Sequence, residues 1–524
     1  MIKKNYFTIV SFCAFTFLVI VLSMGIPYGI DSLNMIRVFN NDEARGLEIL
    51  KHCLEHNNLD PNFYYYYGMV YYTICFCICK IILLFSGHEQ VSVFTMATVL
   101  KTVSLCSFIF FAAELYRLCR MFLAREWAWM CVLTVISIPS LVSLSVMIHP
   151  DILQMGLVIL SFRIAFKNLS LKNLYLAQFI GGIAFGTKYN SLFSFPFLFL
   201  PYLLNTFFID GKISFSAKQI FPLLKIFFIG AACYLLGWII FNPYSVVNYK
   251  YFLFTLLVHS HNVSSGWVET NDSTNPLTWF SVLGNEIPVW TLGISLLAIA
   301  LCFFVPLKKT FGLSSKNFPL ITIFWYSVLC FLYIFFVVRM REMRYTFHFI
   351  PLLFVFFFYV IEKFVHPLRA SRQVILSHSF LIGILVTVFI SASAFFHPEM
   401  KMKNPLLKSG AVIGNNFSKE TKIYGDYYSY IPDSFTNVKF DWEVNTDSLS
   451  KSDAAVIVMN NKRSGKKVWK QAGTNFSDRK WIENPTSYPD AIEKQKQFYN
   501  FLLESNSGFK VFYEDSALII FCKQ

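Results

Sequence analysis

Long apolar segments recur along the chain from Tyr6 to Phe396, and short polar loops separate them. Each segment approaches the ~20 residues with which a helix crosses the hydrocarbon core of a bilayer. After Phe396 the pattern changes, because lysine, aspartate, serine and asparagine become frequent and the apolar stretches shorten. The pattern predicts an α-helical polytopic membrane protein over residues 1–396 and a separate soluble domain over residues 397–524.

The sequence pattern of residues 397–524, called the tail below, predicts a small α/β domain. Four of its apolar stretches have the length and composition of strands, and they read TKIYG, AAVIVMN, FKVFYED and ALIIFCK. A helix is predicted from Ala491 to Glu504, ahead of Gly508. The tail carries no metal, nucleotide or catalytic-triad motif, so we expect the chemistry to lie in the membrane part.

The basic loops determine the direction of each crossing, because positive loops stay in the cytoplasm. Lys3 and Lys4 precede the first segment, which is too long and lacks the cleavage site of a secretory signal. The tyrosine-rich segment Tyr64–Phe85 is predicted to lie at the outer interface, where tyrosine is favoured, rather than to cross. This choice leaves Arg117, Arg120 and Arg125 in the cytoplasm, as the charge bias prefers.

About eleven crossings follow, with the amino terminus inside and the tail outside. Two outer loops are predicted, over about residues 27–90, with interfacial helices, and about residues 242–288. The predicted crossings are Tyr6–Ile26, Val91–Leu115, Trp127–Ile148, Ile152–Phe166, Leu174–Thr187, Leu192–Phe208, Ile220–Phe241, Val289–Val305, Phe318–Val338, Thr346–Ile361 and Val374–Phe396.

The composition agrees with a membrane protein and narrows the partners. Of 524 residues, 55% are hydrophobic and only 15% are charged, whereas soluble domains average roughly 25% charged residues. The net charge of +14 resides largely in the short loops between apolar segments, so it predicts membrane lipids and not nucleic acid as the partner. Most of the twelve cysteines lie inside apolar segments, and no disulfide framework is evident.

Acids and bases from distant stretches gather on the predicted outer face. Asp42 and Glu43 follow the first segment, Asp151 begins another, and Lys188 ends a third. The outer cluster Arg339, Arg341 and Arg344 violates the positive-inside rule, which suggests an anionic ligand. Ordinary interfacial side chains and lipid-headgroup anchors are the alternatives. Convergence of several stretches on one face favours an active site.

Five motifs together resemble the GT-C membrane glycosyltransferases. They are NDEARGLEIL from Asn41, HPDILQ from His149, GIAFGTKYNSL from Gly182, NPYSVVN from Asn242 and RYTFHFIPLL from Arg344. The pattern looks most like the protein O-mannosyltransferase and aminoarabinose (lipid A) transferase group, which uses sugars linked to polyprenyl phosphate. The resemblance covers about three quarters of the chain and implies a sugar donor of that kind, a lipid, glycan or protein acceptor, and no cofactor or metal.

The resemblance implies that Asp42 is the catalytic base, that Glu43 supports it, and that transfer inverts the anomeric carbon. A phosphate leaving group needs no general acid, whereas the acceptor hydroxyl must lose its proton. Arg344, with Tyr345 beside it, is the candidate that neutralises the phosphate. The remaining substrate-binding candidates are Asp151, Lys188, Lys101 and His149.

Simpler interpretations of these candidates stay open. Lys188 also fits a lysine that snorkels at a helix end, and Asp151 fits an acidic residue favoured at a helix amino terminus. Lys101 stands where relatives often carry arginine, which puts phosphate contact there in question. The lysine-proline pair of some lipid-modifying relatives is absent from DPNFYYYYGM, which weakens an assignment to aminoarabinose transfer.

Two other functions compete with the transferase. A transporter or flippase for a lipid-linked anion would show internal repeats and charges near the membrane midplane, and neither is evident. A non-catalytic relative with a partner-binding tail is the third possibility. We expect a multi-pass protein of the bacterial cytoplasmic membrane with its site and tail outside, and the endoplasmic reticulum is the alternative location.

Overall fold

The computed structural model describes residues 2–27, 29–30, 32–39, 41–61, 64–209, 212–213, 220–265, 276–286, 317–339, 342–365, 381–383, 385–390, 405–426, 429–441, 446–460, 497–498, 500–502, 504, 507–515 and 518–524. Within these residues the amino-terminal part is almost entirely helical. Its helices are α1 (Ile2–Met24), α2 (Leu33–Phe39), α3 (Asn41–His56), α4 (Val70–Ser86), α5 (Val93–Cys119), α6 (Arg125–Ile136), α7 (Pro139–Leu144), α8 (Asp151–Asn168), α9 (Leu171–Phe185), α10 (Ser194–Phe207), α11 (Ile220–Phe241), α12 (Pro243–Val247), α13 (Tyr249–Ser265), α14 (Thr278–Glu286), α15 (Phe318–Val337) and α16 (Ile350–Val365). Strands β1 (Phe208–Ile209) and β2 (Lys212–Ile213) form a short hairpin between α10 and α11.

Four described helices are long and apolar enough to cross a membrane, namely Tyr6–Met24, Val93–Cys119, Ile220–Phe241 and Phe318–Val337. All four coincide with predicted crossings. The predicted crossing Trp127–Ile148 is not one continuous helix, because α6 ends at Ile136 and α7 begins at Pro139. Proline has no backbone N–H and fits the first turn of a helix, so it starts α7 instead of continuing α6.

Some of the predicted topology lies beyond the described residues. The Val289–Val305 crossing lies outside them entirely, and so does most of Val374–Phe396. The total of eleven crossings therefore stays a prediction.

Four helices pack side by side in the order α5, α8, α9 and α11. The backbones of α9 and α11 touch at two glycines. A Cβ atom on Gly182 would lie 1.9 Å from the carbonyl oxygen of Tyr234, and one on Gly237 would lie 2.1 Å from that of Phe179. Small residues permit this close approach between membrane helices. The contact positions the carboxyl end of α9, which leads to Lys188.

The Asn242 side chain joins the segment before α4 to this helix pair. The Asn242 Oδ1 atom accepts a hydrogen bond from the Met69 amide at 2.8 Å, just before α4. Its Nδ2 atom donates to the carbonyl oxygens of Gly186 (3.2 Å) and Trp238 (3.0 Å). Asn242 is buried, so a single side chain satisfies backbone groups of three elements, and the tyrosine stretch before α4 is held against α9 and α11.

The tail contains a five-stranded sheet with strand order β4-β3-β5-β7-β6. Strands β3, β4 and β5 are parallel, and β6 and β7 run antiparallel to their neighbours. The elements are α17 (Pro405–Asn416), β3 (Ile423–Asp426), β4 (Val438–Asp441), α18 (Thr446–Ser452), β5 (Val456–Asn460), β6 (Phe509–Glu514) and β7 (Leu518–Lys523). The sequence pattern predicts four of these strands and misses β4. The helix predicted over Ala491–Glu504 is described only in part, and the domain boundary at residue 397 stays a prediction.

Candidate active site

Asp42 and Arg344 form an ion pair across 302 residues of sequence. Asp42 lies in the first turn of α3, and Arg344 lies in a short 3₁₀ turn, Met343–Thr346, that precedes α16. An Arg344 Nη1 donates to Asp42 Oδ2 at 2.7 Å, and Arg344 Nε also binds Glu342. The Asp42 side chain keeps 35% of its surface exposed. One guanidinium thus serves two carboxylates and remains within reach of a ligand.

The surrounding charges keep Asp42 ionised. Burial by itself raises the pKa of this carboxyl, but the charges of Arg344, His149 and Lys188 and the hydrogen bond from Arg344 outweigh it, so the pKa lies below its ordinary value. The carboxylate is therefore able to accept a proton at neutral pH, although the ion pair makes it a weaker base than a free aspartate.

Lys188 and Asp151 form a second, deeper ion pair. The Lys188 Nζ atom donates to Asp151 Oδ1 at 2.5 Å, and both residues are buried. Asp151 is the first residue of α8, and Lys188 follows α9. The Nζ atom also lies 5.8 Å from the ring centre of Tyr67 and 5.7 Å from that of Tyr345. Aromatic faces attract a cation at this range, so the lysine is held in place from several sides.

His149 extends this pair toward the tyrosine stretch. Its Nδ1 atom lies 3.3 Å from Asp151 Oδ2, and its Nε2 atom lies 3.0 Å from the Tyr67 hydroxyl. The Tyr67 hydroxyl and His149 Nε2 share a hydrogen bond, and the protonation of the imidazole sets which of the two atoms donates. Tyr67, His149, Asp151 and Lys188 therefore form one chain of polar contacts beside Asp42.

Glu43 faces away from Asp42. Consecutive helical residues point about 100° apart, and the Glu43 carboxylate lies 3.6 Å from Lys101 of α5 in a buried pair. The structure thus gives Glu43 a supporting position, in which it anchors the start of α3 to α5. The Lys101 ammonium forms an ion pair with Glu43. A contact between Lys101 and a phosphate stays a prediction.

The arginine cluster is represented in the described residues mainly by Arg344. The Arg339 side chain is exposed, and its backbone amide bonds the Val263 carbonyl at 3.0 Å. Arg341 lies outside the described residues. Of the two described arginines, Arg344 is the one whose side chain contacts carboxylates.

Two residues near this site, Tyr67 and Glu342, were not singled out by the sequence pattern. The sequence pattern indicated Tyr67 only as an interfacial tyrosine. Glu342 lies between Arg341 and Arg344 in the sequence, where the basic residues dominate the pattern. His259 of α13 contacts the Tyr66 ring edge-on at 5.7 Å. Burial and the positive charges of Lys188 and Arg344 lower the pKa of His259 to about 4, which leaves the imidazole neutral. An aromatic run next to a polar motif is the only sequence signal that indicated Tyr67.

The described residues include no group of three or more histidine, cysteine, aspartate or glutamate side chains that could hold a metal ion. The groups available for chemistry are thus a partly exposed carboxylate, a shared guanidinium and a buried lysine pair. Such a set can accept a proton and neutralise an anion.

The fold is similar to those of three solved structures. The crystal structure of ArnT from Cupriavidus metallidurans bound to undecaprenyl phosphate matches with a TM-score of 0.55 at 12% identity, over 97% of this chain and 97% of that one. The apo oligosaccharyltransferase of Archaeoglobus fulgidus matches with a TM-score of 0.54 at 13% identity, over 90% of this chain and 71% of that one. The archaeal enzyme AglB in complex with an inhibitory peptide and a dolichol-phosphate gives 0.51 at 12% identity, over 90% and 71%. No protein-family model and no curated protein sequence matches the chain.

Both similar enzymes are GT-C proteins. The resemblance predicted from the motifs is therefore confirmed at the level of the fold, and with its apolar helices the chain is an integral membrane protein. At these identities the similarity carries no assignment of substrate.

Proposed function

We propose that this protein is a glycosyltransferase that moves a sugar from a polyprenyl-phosphate donor to a hydroxyl of a lipid, polysaccharide or protein acceptor, with inversion. The observation that carries the proposal is the Asp42–Arg344 pair, which combines a base and a phosphate partner in a GT-C fold. The similar structures contain undecaprenyl phosphate in one case and a dolichol-phosphate in another, which supports a lipid phosphate as the leaving group.

In the proposed reaction Asp42 removes the proton of the acceptor hydroxyl as its oxygen attacks the anomeric carbon. The bond between that carbon and the phosphate oxygen breaks, and its electron pair leaves with the lipid phosphate. Arg344 neutralises the charge that develops there. Glu43 keeps the first turn of α3 in place through Lys101. Tyr345, Lys188, Asp151 and His149 form the substrate-binding side of the site.

The charge balance of the described site implies an exchange of partners on donor binding. Two lysines and one arginine face four carboxylates, namely Lys101, Lys188 and Arg344 against Asp42, Glu43, Asp151 and Glu342. His149 lies 3.3 Å from Asp151, so even a protonated imidazole only equalises the two signs. No cation is in excess within this set, so a phosphate has to compete with a carboxylate for its guanidinium. Arg344 is the most exposed of the three, with 22% of its side chain accessible. When phosphate takes Arg344, Asp42 loses its closest cation, and its pKa rises toward that of a more effective base.

The proposed location is a bacterial cytoplasmic membrane, with about eleven crossings and with the site and residues 397–524 on the outer side. The rival function is a transporter or flippase of a lipid-linked anion. A transporter would use Arg344 as an anion site but would have no need of a base, so Asp42 distinguishes the two functions.

The test compares wild type with Asp42→Asn, which keeps the shape of the side chain and removes the base. Purified proteins in liposomes receive radiolabelled polyprenyl-phosphate sugars and membrane acceptors, and labelled product is measured. We expect transfer by wild type and a loss of roughly 10²–10⁴-fold in Asp42→Asn. Glu55→Gln, at an exposed position of the same helix, is the matched control and should keep full activity. Equal transfer by wild type and Asp42→Asn would remove Asp42 from the mechanism, and donor movement across the bilayer without product would favour the transporter.

A further inference from the structure

The short helix α2 contacts α3 on one side and the sheet of the tail on the other. Ile36 is buried in a cluster with Ala44 and Leu47 of α3. The next residue, Arg37, is buried against the tail, with its guanidinium carbon 3.7 Å from the centre of the Phe440 ring. Arg37 Nη2 also points to the Ser429 carbonyl at 3.5 Å, and Asn34 Nδ2 donates to Asp433 Oδ1 at 2.5 Å. Opposite faces of one helix thus contact two different parts of the chain.

The tail residues that receive α2 are themselves firmly held. Phe440 belongs to β4, which pairs in parallel register with β3. The Ser429 hydroxyl donates to Asp426 Oδ1 at 2.9 Å, and both residues are buried. Asp426 ends β3, so Ser429 is tied to the end of the strand next to β4. The Arg37 side chain is buried and Phe440 is half-buried, so their contact is partly desolvated, which strengthens cation–π attraction.

The position of α2 bears directly on Asp42. Helix α2 has seven residues, too few to be stable without tertiary contacts. Arg37 stands five residues before Asp42, and α2 packs against α3. Whatever holds α2 therefore also holds the first turn of α3, where a displacement of about 1 Å at a reacting group costs up to about 100-fold in rate.

We propose that Arg37 is a positioning residue, through which the sheet of the tail sets the place of Asp42. The consequence for the reaction rests on the proposed function, whereas the docking itself does not. The tail then acts as part of the catalytic unit, and removal of its contact with α2 disorders the base without touching the substrate.

The first experiment measures docking without reference to activity. Hydrogen–deuterium exchange of residues 33–56 is followed in the full-length protein in detergent, for wild type, Arg37→Gln, Phe440→Ala and the double variant. We expect faster exchange in α2 and the start of α3 in both single variants and no further gain in the double variant, because both remove one contact. Lys439→Ala is the matched control on β4. Its side chain points to the Ser448 carbonyl, so exchange should match wild type.

The second experiment measures transfer by the same proteins, with thermal unfolding to verify that each is folded. A positioning role predicts a fall of about tenfold or more in kcat with little change in the KM for the donor, and partial recovery in Arg37→Lys, which keeps a cation over the ring. Unchanged exchange in Arg37→Gln and Phe440→Ala overturns the proposal, whatever the activity. Faster exchange in a protein whose wild type transfers no sugar leaves the docking standing and removes the proposed function instead.

Discussion

Helix α5 carries charged residues near both ends, and the two clusters around them are built differently. Lys101 adjoins the candidate site, and Glu114, thirteen residues or about 20 Å further along the helix, forms the second cluster. Glu114 is buried and accepts hydrogen bonds from Arg163 Nε at 2.6 Å and Arg117 Nη1 at 2.5 Å. In that cluster a single carboxylate is bound by two arginines, and it joins α5 to α8.

The Asp42 cluster differs in its carboxylates. The Glu114 side chain is 2% exposed and is bound by two arginines, whereas Asp42 and Glu342 are 35% and 31% exposed and share one guanidinium. A buried carboxylate held by two arginines chiefly joins helices, whereas a guanidinium shared by two partly exposed carboxylates can change partners. The two clusters are therefore distinguished by the exposure of their carboxylates and by the ratio of carboxylates to arginines, and not by the number of charges.

The largest effect is expected for Arg344. Arg344→Gln removes the cation that serves the leaving phosphate, and we expect kcat to fall by roughly 10²–10³-fold. Arg344→Lys keeps the charge but not the planar fork, so it should recover only part of the rate. Steady-state transfer kinetics are the measurement. Equal loss in both variants would point to geometry alone, and full activity in Arg344→Gln would contradict the role.

Arg344→Gln is also expected to change the pH dependence of kcat/KM. The pKa of Asp42 is lowered in the folded protein, so the base stays ionised and activity is lost only as the pH falls through that lowered pKa. Removal of the guanidinium raises the pKa, and the acidic limb of kcat/KM should move to higher pH in Arg344→Gln. Arg344→Lys should move it less. An acidic limb that stays in place would show that another group controls it.

An intermediate effect is expected for Asp151→Asn, because it leaves the Lys188 charge buried without its carboxylate. We expect a loss of roughly 3–5 kcal/mol of stability and a fall in transfer of up to about 100-fold. The double variant Asp151→Asn with Lys188→Met removes both charges and should regain stability but not activity. Recovery of both in the double variant would make this pair purely structural.

The smallest effect on activity is expected for Glu114→Gln, in the cluster of Glu114 with Arg117 and Arg163. Loss of the carboxylate charge should cost about 1–3 kcal/mol of stability and lower the unfolding temperature, while transfer per folded molecule stays near that of wild type. Glu126→Gln, at the more exposed start of α6, is the control for stability. A large loss of transfer in folded Glu114→Gln would break the distinction between the two clusters.

Part of the site could be predicted because charges in apolar surroundings are rare. Asp42, Glu43, Asp151, Lys188 and Arg344 stand out in the sequence for that reason. Their pairing could not be predicted, since Asp42 and Arg344 are 302 residues apart and nothing local selects between them. Pro139 is a local signal for the break between α6 and α7. It stands within a long apolar run, and the length of that run predicted a single crossing.

The sequence by itself determined that α1, α5, α11 and α15 are long and apolar enough to cross a membrane, because bilayer thickness imposes a length on apolar helices. It also determined which charged residues adjoin the apolar segments. Only the tertiary structure decided that Asp42 meets Arg344 while its neighbour Glu43 turns to Lys101, and that Arg37 rests on Phe440 of the tail. These choices depend on how distant helices and a sheet pack, and side-chain periodicity within one element contains no information about its partner.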